Sequence, residues 1–90
     1  MRYTIVWLPA AVEELLAIWL SAPDRSAVTA AADELDSVLK IDPVLRGETL
    51  VGSVRILLAD PLQAAYRVFD DDRIVQIIGI ARTPPDDDED

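Results

Sequence analysis

Residues 64–82 read AAYRVFDDDRIVQIIGIAR, two runs of β-formers separated by three consecutive aspartates. Val, Ile, Tyr and Phe favour extended backbone and clustered Asp favours turns, so the segment predicts a hairpin turning at Asp71 and Asp72. With that turn, Phe69 faces Ile74, Arg67 faces Gln76, Ala65 faces Ile78 and Gln63 faces Ile80. On the other face Val68, Tyr66 and Ala64 oppose Val75, Ile77 and Gly79. That second face is apolar apart from the Tyr66 hydroxyl, so helices should cover it and leave the first face open. An Asp-Asp turn lacks the glycine that pins register, which leaves a one-residue shift open.

Upstream, VGSVRILLA from Val51 reads as a strand, Asp60-Pro61 as a turn and LQAAYRVF as the next strand, which completes a three-stranded meander with RIVQIIGIA. PVLRGETL, residues 43–50, follows neither period and reads as loop. At the start, RYTIVWL (residues 2–8) is strand-like. Pro9 then closes that run and suits a first helical turn. Val12, Leu15, Leu16 and Trp19 fall at helical spacing with Glu13 and Glu14 on the other side, which predicts a helix over 9–21.

In SAPD, residues 21–24, Ser21 can accept from the free amides of a second helix while Asp24 favours its positive end. Val28, Ala31, Ala32, Leu35 and Leu39 form the apolar stripe of that helix, Asp36 and Lys40 are spaced to pair, and Asp42-Pro43 ends it. The expected fold is α+β: an N-terminal strand, an αα-hairpin, then the meander (βααβββ), with both helices on one face of a twisted sheet.

Ninety residues, 51% hydrophobic and 28% charged, suffice for one domain with a core of its own. The expected division is a domain over 1–82 and a disordered acidic tail over 83–90. That tail carries five of the nine net negative charges, which leaves the body at −4. With no histidine and no cysteine, triads, disulfides and thiolate metal sites are excluded. Glu13 with Glu14 and Asp70 to Asp72 read as solvated helix and turn residues, so no metal or cofactor is expected. No apolar run approaches the roughly 18 residues that cross a bilayer, and the expected compartment is the cytoplasm. The eight basic residues form no stripe, so direct nucleic-acid binding is not expected.

The segments YTIVWLPAAVEELLAIW, ADELDSVLKIDP and VGSVRILLADPLQAAYRVFDDDRIVQIIGI together span nearly the whole body. In their order, and in the series V-R-x-L, Pro, Y-R-V, I-V-x-I-I, the chain resembles the RelE/ParE superfamily of toxins from type II toxin-antitoxin systems. The resemblance implies a twisted antiparallel sheet with two helices on one side and the first strand beside the last. It implies a cytoplasmic bacterial toxin of plasmid-stabilisation type whose partner is a cognate antitoxin. RelE-like members cut messenger RNA on the ribosome, and ParE-like members poison DNA gyrase. RelE-like toxins carry lysines and arginines on the open face of the middle strands, with an arginine and a tyrosine near the C-terminus. Here the corresponding second-strand positions fall near Val54, Ile56 and Leu58, all aliphatic. Only Arg82 matches a basic position, and no tyrosine follows it.

The reading that follows is a ParE-like, protein-binding toxin with no catalytic residue beyond the weak candidate Arg82. Its alternatives are a ribosome-dependent endonuclease and a non-toxic homodimeric interaction domain. Arg55, Arg67, Gln76, Ile78, Ile80 and Arg82 are the expected partner-binding residues, with the antitoxin as occupant, gyrase or the ribosome as target, and no membrane contact. Arg55 and Arg67 have a structural alternative in pairing with neighbouring strand acids such as Asp70. Tyr66, Trp7 and Trp19 are expected in the core.

Overall fold

The computed structural model describes residues 2–44 and 47–83. The chain runs β1 (Thr4–Trp7), α1 (Pro9–Ser21), α2 (Arg25–Ile41), β2 (Glu48–Val51), β3 (Val54–Ala59), β4 (Leu62–Phe69) and β5 (Ile74–Arg82). The strands form one sheet in the order β1-β5-β4-β3-β2. Within it β1 lies parallel to β5 and the other pairs are antiparallel, so the sheet is mixed. Both helices pack on one face, where Ala11, Val28, Ala31, Leu35 and Leu39 meet Leu62, Ala64, Tyr66, Val75 and Ile77 in a single cluster.

Pro9 opens α1 at its first position, where a missing N–H leaves no bond unmade. The second helix is capped by Asp24, whose carboxylate accepts from the Ala27 N–H at 3.2 Å. Ser21, the expected cap, instead donates back to the Ala17 and Ile18 carbonyls. The reason is spacing: Ala22, Pro23 and Asp24 intervene before the first helical residue, Arg25, and a cap reaches only two or three residues on. Of the expected stripe Val28, Ala31, Leu35 and Leu39 are buried and Ala32 is half-buried, and Lys40 pairs with Asp36 at 3.0 Å.

The span 43–50, expected as loop, holds the first three residues of β2, Glu48 to Leu50, so the meander has four strands rather than three. The turn into β3 is Gly52-Ser53, with Gly52 at a φ of +56° that a side chain would strain. Glu48 to Val51 therefore form a short edge strand, bulged between Thr49 and Val51, a feature that discourages further pairing at an edge. The opposite edge is also occupied. Tyr3 donates its N–H to the Lys40 carbonyl at 2.7 Å, and beyond the end of β1 the Glu14 carboxylate accepts from the Ile80 N–H at 2.8 Å.

The quoted hairpin turns where expected, and Phe69, Val68, Arg67 and Tyr66 pair with Ile74, Val75, Gln76 and Ile77. Past Tyr66 the expected register fails. A bulge shifts β5 so that Ala65, Ala64 and Gln63 face Gly79, Ile80 and Ala81. Simple alternation would have turned Gly79 toward the helices and left Ile80 outside. The extra residue brings Ile80 into the core, 5% exposed. Burying an isoleucine in place of a glycine is worth about 2 kcal/mol, enough to offset one irregular pair. Tail residues 84–90 lie outside the described residues. Thr83, the first residue assigned to that tail, is tied down by its N–H to the Pro61 carbonyl and its hydroxyl to Asp60.

Candidate binding surfaces

Alternation along β3 and β4 decides which way each candidate residue points. Arg55 lies opposite Tyr66, on the helix side. Its guanidinium donates to the carbonyls of Val44 and Gly47 and to the Thr49 hydroxyl. Beside it the buried Tyr66 hydroxyl donates to the Pro43 carbonyl at 2.6 Å. Burial pushes the Tyr66 phenol above its ordinary value, and the adjacent Arg55 partly offsets this. Gly47 belongs to the same latch, because a Cβ there would stand 1.8 Å from the Tyr66 hydroxyl. Arg55 thus holds the approach to β2 against the sheet, a structural role filled by two carbonyls and a hydroxyl in place of the strand acids expected.

On the open face Arg67 and Gln76 pair across β4 and β5, and the Arg67 Nε donates to the Ser53 hydroxyl at 3.2 Å. Ile78, half-buried, is the unpaired residue of the β5 bulge. Ile80, expected on this face, is in the core for the reason given above. Arg82 lies opposite Leu62, so it leaves β5 toward the helix side, exposed at the strand's end. The six candidates therefore do not converge. Arg67 is the sole arginine or lysine among the described residues on the open face of β3 to β5. Ile56, Leu58, Ala65 and Ala81 fill much of the remainder.

Arg25 and Arg73 are held elsewhere. Arg25 stacks on Trp19 at 4.6 Å and donates to the Trp19 and Leu20 carbonyls. Arg73 lies over the Tyr3 ring at 5.5 Å, and the Tyr3 hydroxyl donates to Asp70 at 2.7 Å. That bond to a carboxylate raises the Tyr3 pKa. Among the described residues no group of three or more acidic side chains gathers as a metal site would require.

A second surface lies between the helices. Val12, Leu15, Leu16 and Trp19 of α1 and Val28, Thr29, Ala32 and Asp33 of α2 line a groove of about 320 Å³. Its α1 wall was expected to be the helix's buried stripe. Instead α1 turns Ala11, Leu15 and Ile18 inward, and Val12, Leu16 and Leu20 stay 49%, 54% and 55% exposed. The Trp19 Nε1 donates to the Thr29 hydroxyl at 3.2 Å, which fixes the indole as the groove's end. The signal was present in the sequence. Apolar residues at 11, 12, 15, 16, 18, 19 and 20 cover most of the helix circumference, and such a helix needs cover on more than one side.

No protein-family model and no curated protein matches the chain. Solved structures do match. A chain of the RelBE2 toxin-antitoxin complex from Mycobacterium tuberculosis superposes with a TM-score of 0.77 at 16% identity, over 91% of this chain and 92% of that one. A chain of the chromosomal ParDE system of P. aeruginosa gives 0.73 at 24% identity, over 92% and 98%. The isolated E. coli RelE toxin gives 0.66 at 14% identity, over 94% and 88%. The fold of this chain is therefore that of RelE/ParE toxin structures, and the resemblance drawn from the sequence holds at that level.

Proposed function

We propose that the chain is the toxin-like component of a toxin-antitoxin pair and that it acts by binding a protein, as ParE-like toxins do, with a cognate antitoxin as its resident partner. The observation that carries this reading is the open face of β3 to β5, on which aliphatic residues and glutamines surround a lone arginine. RNA cleavage without metal needs a base, cations for the phosphorane charge and an acid for the leaving oxygen, set within hydrogen-bond reach of one another. Arg67 stands there without a lysine, arginine or tyrosine beside it on that face, and Arg82 points to the other side. A protein surface needs only shape and apolar area, and the groove between α1 and α2 supplies both.

The reading is tested by inducing the chain alone in a bacterial host and then together with the product of a short gene adjoining its own. Growth arrest on induction, relieved by the second protein, is expected. Unaffected growth together with no complex between the two proteins overturns it.

A further inference from the structure

We infer that a trough on the open face of the sheet receives an arginine side chain of the protein bound there, an inference that rests on the reading of a protein-binding module and names the chemistry its target presents. The trough begins as a hollow of about 260 Å³ across β3, β4 and β5, where Ala65 pairs with Gly79 and Gln63 with Ala81. Its floor is low because no side chain of Ala65, Gly79 or Ala81 reaches past Cβ. Ile56 and Leu50 wall it toward β2. A second hollow of about 430 Å³ shares Ile56 and Gln63 with the first, which makes the two continuous. A carboxylate stands on each bank. Glu14 reaches from α1 to the β5 edge, where it accepts from the Ile80 N–H at 2.8 Å, and a Cβ on Gly79 would lie 3.4 Å from the same oxygen. Glu48 lies opposite Ile56 and lines the second hollow.

The banks choose the sign of the ligand. Among the described residues no cation is ion-paired to either glutamate, and the bond to the Ile80 N–H leaves the charge of Glu14 in place. Arg67, the cation on this face, is held toward the β2–β3 turn by the Ser53 hydroxyl. With a net charge of −9 on the chain, an acidic side chain is repelled and a basic one is drawn in. The shape chooses arginine. Its methylene stem lies over apolar walls, its planar guanidinium meets a carboxylate with two parallel N–H bonds, and the Gln63 carbonyl is a further acceptor. Lysine is a more strongly hydrated point charge and loses more water on entering an apolar trough. A second copy of this chain would have to bring Arg67, which is half-buried on its own strands and bonded to Ser53, so the occupant is a different protein.

The experiment titrates the full chain with three short capped peptides, identical except for a central arginine, citrulline or glutamate, and follows the backbone amide resonances of Ala65, Gly79 and Ala81. Citrulline has the shape of arginine without its charge. The arginine peptide is expected to bind about fivefold more tightly than the citrulline peptide, and the glutamate peptide to leave the three resonances unmoved. Glu14→Gln keeps an acceptor for the Ile80 N–H while removing the charge, so it should reduce the advantage of arginine. Glu14→Gln with Glu48→Gln should erase it. Ala81→Trp, at an exposed position on the floor, should block both peptides. Unchanged circular dichroism checks that the variants fold. Equal affinities for arginine and citrulline, no shift with any peptide, shifts confined to residues outside the trough, or an advantage indifferent to the double glutamine variant each overturn the inference. So does a dimer in sedimentation that Arg67→Ala dissociates, since a second copy would then be the occupant. Arginine-selective binding without growth arrest in the host would count against the toxin reading alone, and arrest without that selectivity against the trough alone.

Discussion

The two faces of one sheet have been put to different uses. Toward the helices it presents Leu62, Ala64, Tyr66, Val75, Ile77 and Ile80, all buried. On the reverse it presents Ile56, Leu58, Gln63, Arg67 and Gln76, none of them buried. Neighbouring residues of one strand supply both sets, so strand alternation does the sorting. The cations follow the same sorting. Arg55 falls on the covered side and is consumed in holding carbonyls, whereas Arg67 falls on the open side, bonded to the Ser53 hydroxyl, with no other arginine or lysine on that face of β3 to β5 among the described residues. For Arg55 and Arg67, strand parity decides which guanidinium is drawn into the frame and which is left on the open face.

The largest effect should come from the covered side. Leu35 is fully buried at the centre of the α2 stripe, and Leu35→Ala is expected to cost about 3 kcal/mol in urea unfolding. Gly47→Ala should follow at about 2 to 3 kcal/mol, since the new Cβ displaces the Tyr66 hydroxyl from the Pro43 carbonyl. Tyr66→Phe should cost about 1 to 2 kcal/mol by leaving that carbonyl unpaired. The two latch substitutions made together should cost less than their sum, because both break the same bond. Full additivity would show that Gly47 and Tyr66 are independent.

Alkaline titration probes the same latch. Folded Tyr66 holds its proton more tightly than the unfolded chain does, so its contribution is complete below about pH 10 and is lost as pH rises above that value. The loss should be shallower in Tyr66→Phe, with the residual slope due to Tyr3, whose pKa is also raised. On the open face the effects should be smallest. Leu58→Ser and Arg67→Ala are expected to move stability by no more than about 0.5 kcal/mol. A larger loss at Leu58 would mean that the face is packed against something.

Much of this contrast was legible in the sequence. The hairpin turn, the pairing from Phe69 to Tyr66, the α2 stripe and the span of α1 all follow from periodicity and turn chemistry, which act locally. Three features did not follow, each because a distant contact decided it. The β5 bulge depends on where Ile80 meets Ala64 and on Glu14 reaching the Ile80 N–H from another element. The facing of α1 depends on Ala11, small enough to let the helix approach β5, and a count of large apolar residues passes over an alanine. The edge strand β2 was hidden because Gly52-Ser53 was read as strand interior rather than as turn. Of the candidate site, Arg67 and Gln76 were placed on the open face correctly, Arg55 and Arg82 lie on the other side, and the α1–α2 groove was taken for core.

RNA cleavage is the most direct test of the proposal that the chain acts by binding a protein. Purified chain incubated with translating ribosomes and messenger RNA, read by primer extension, should leave the message at full length under conditions where induction arrests growth. Cleavage by the wild-type chain that disappears in Arg82→Ala or Arg67→Ala would contradict it.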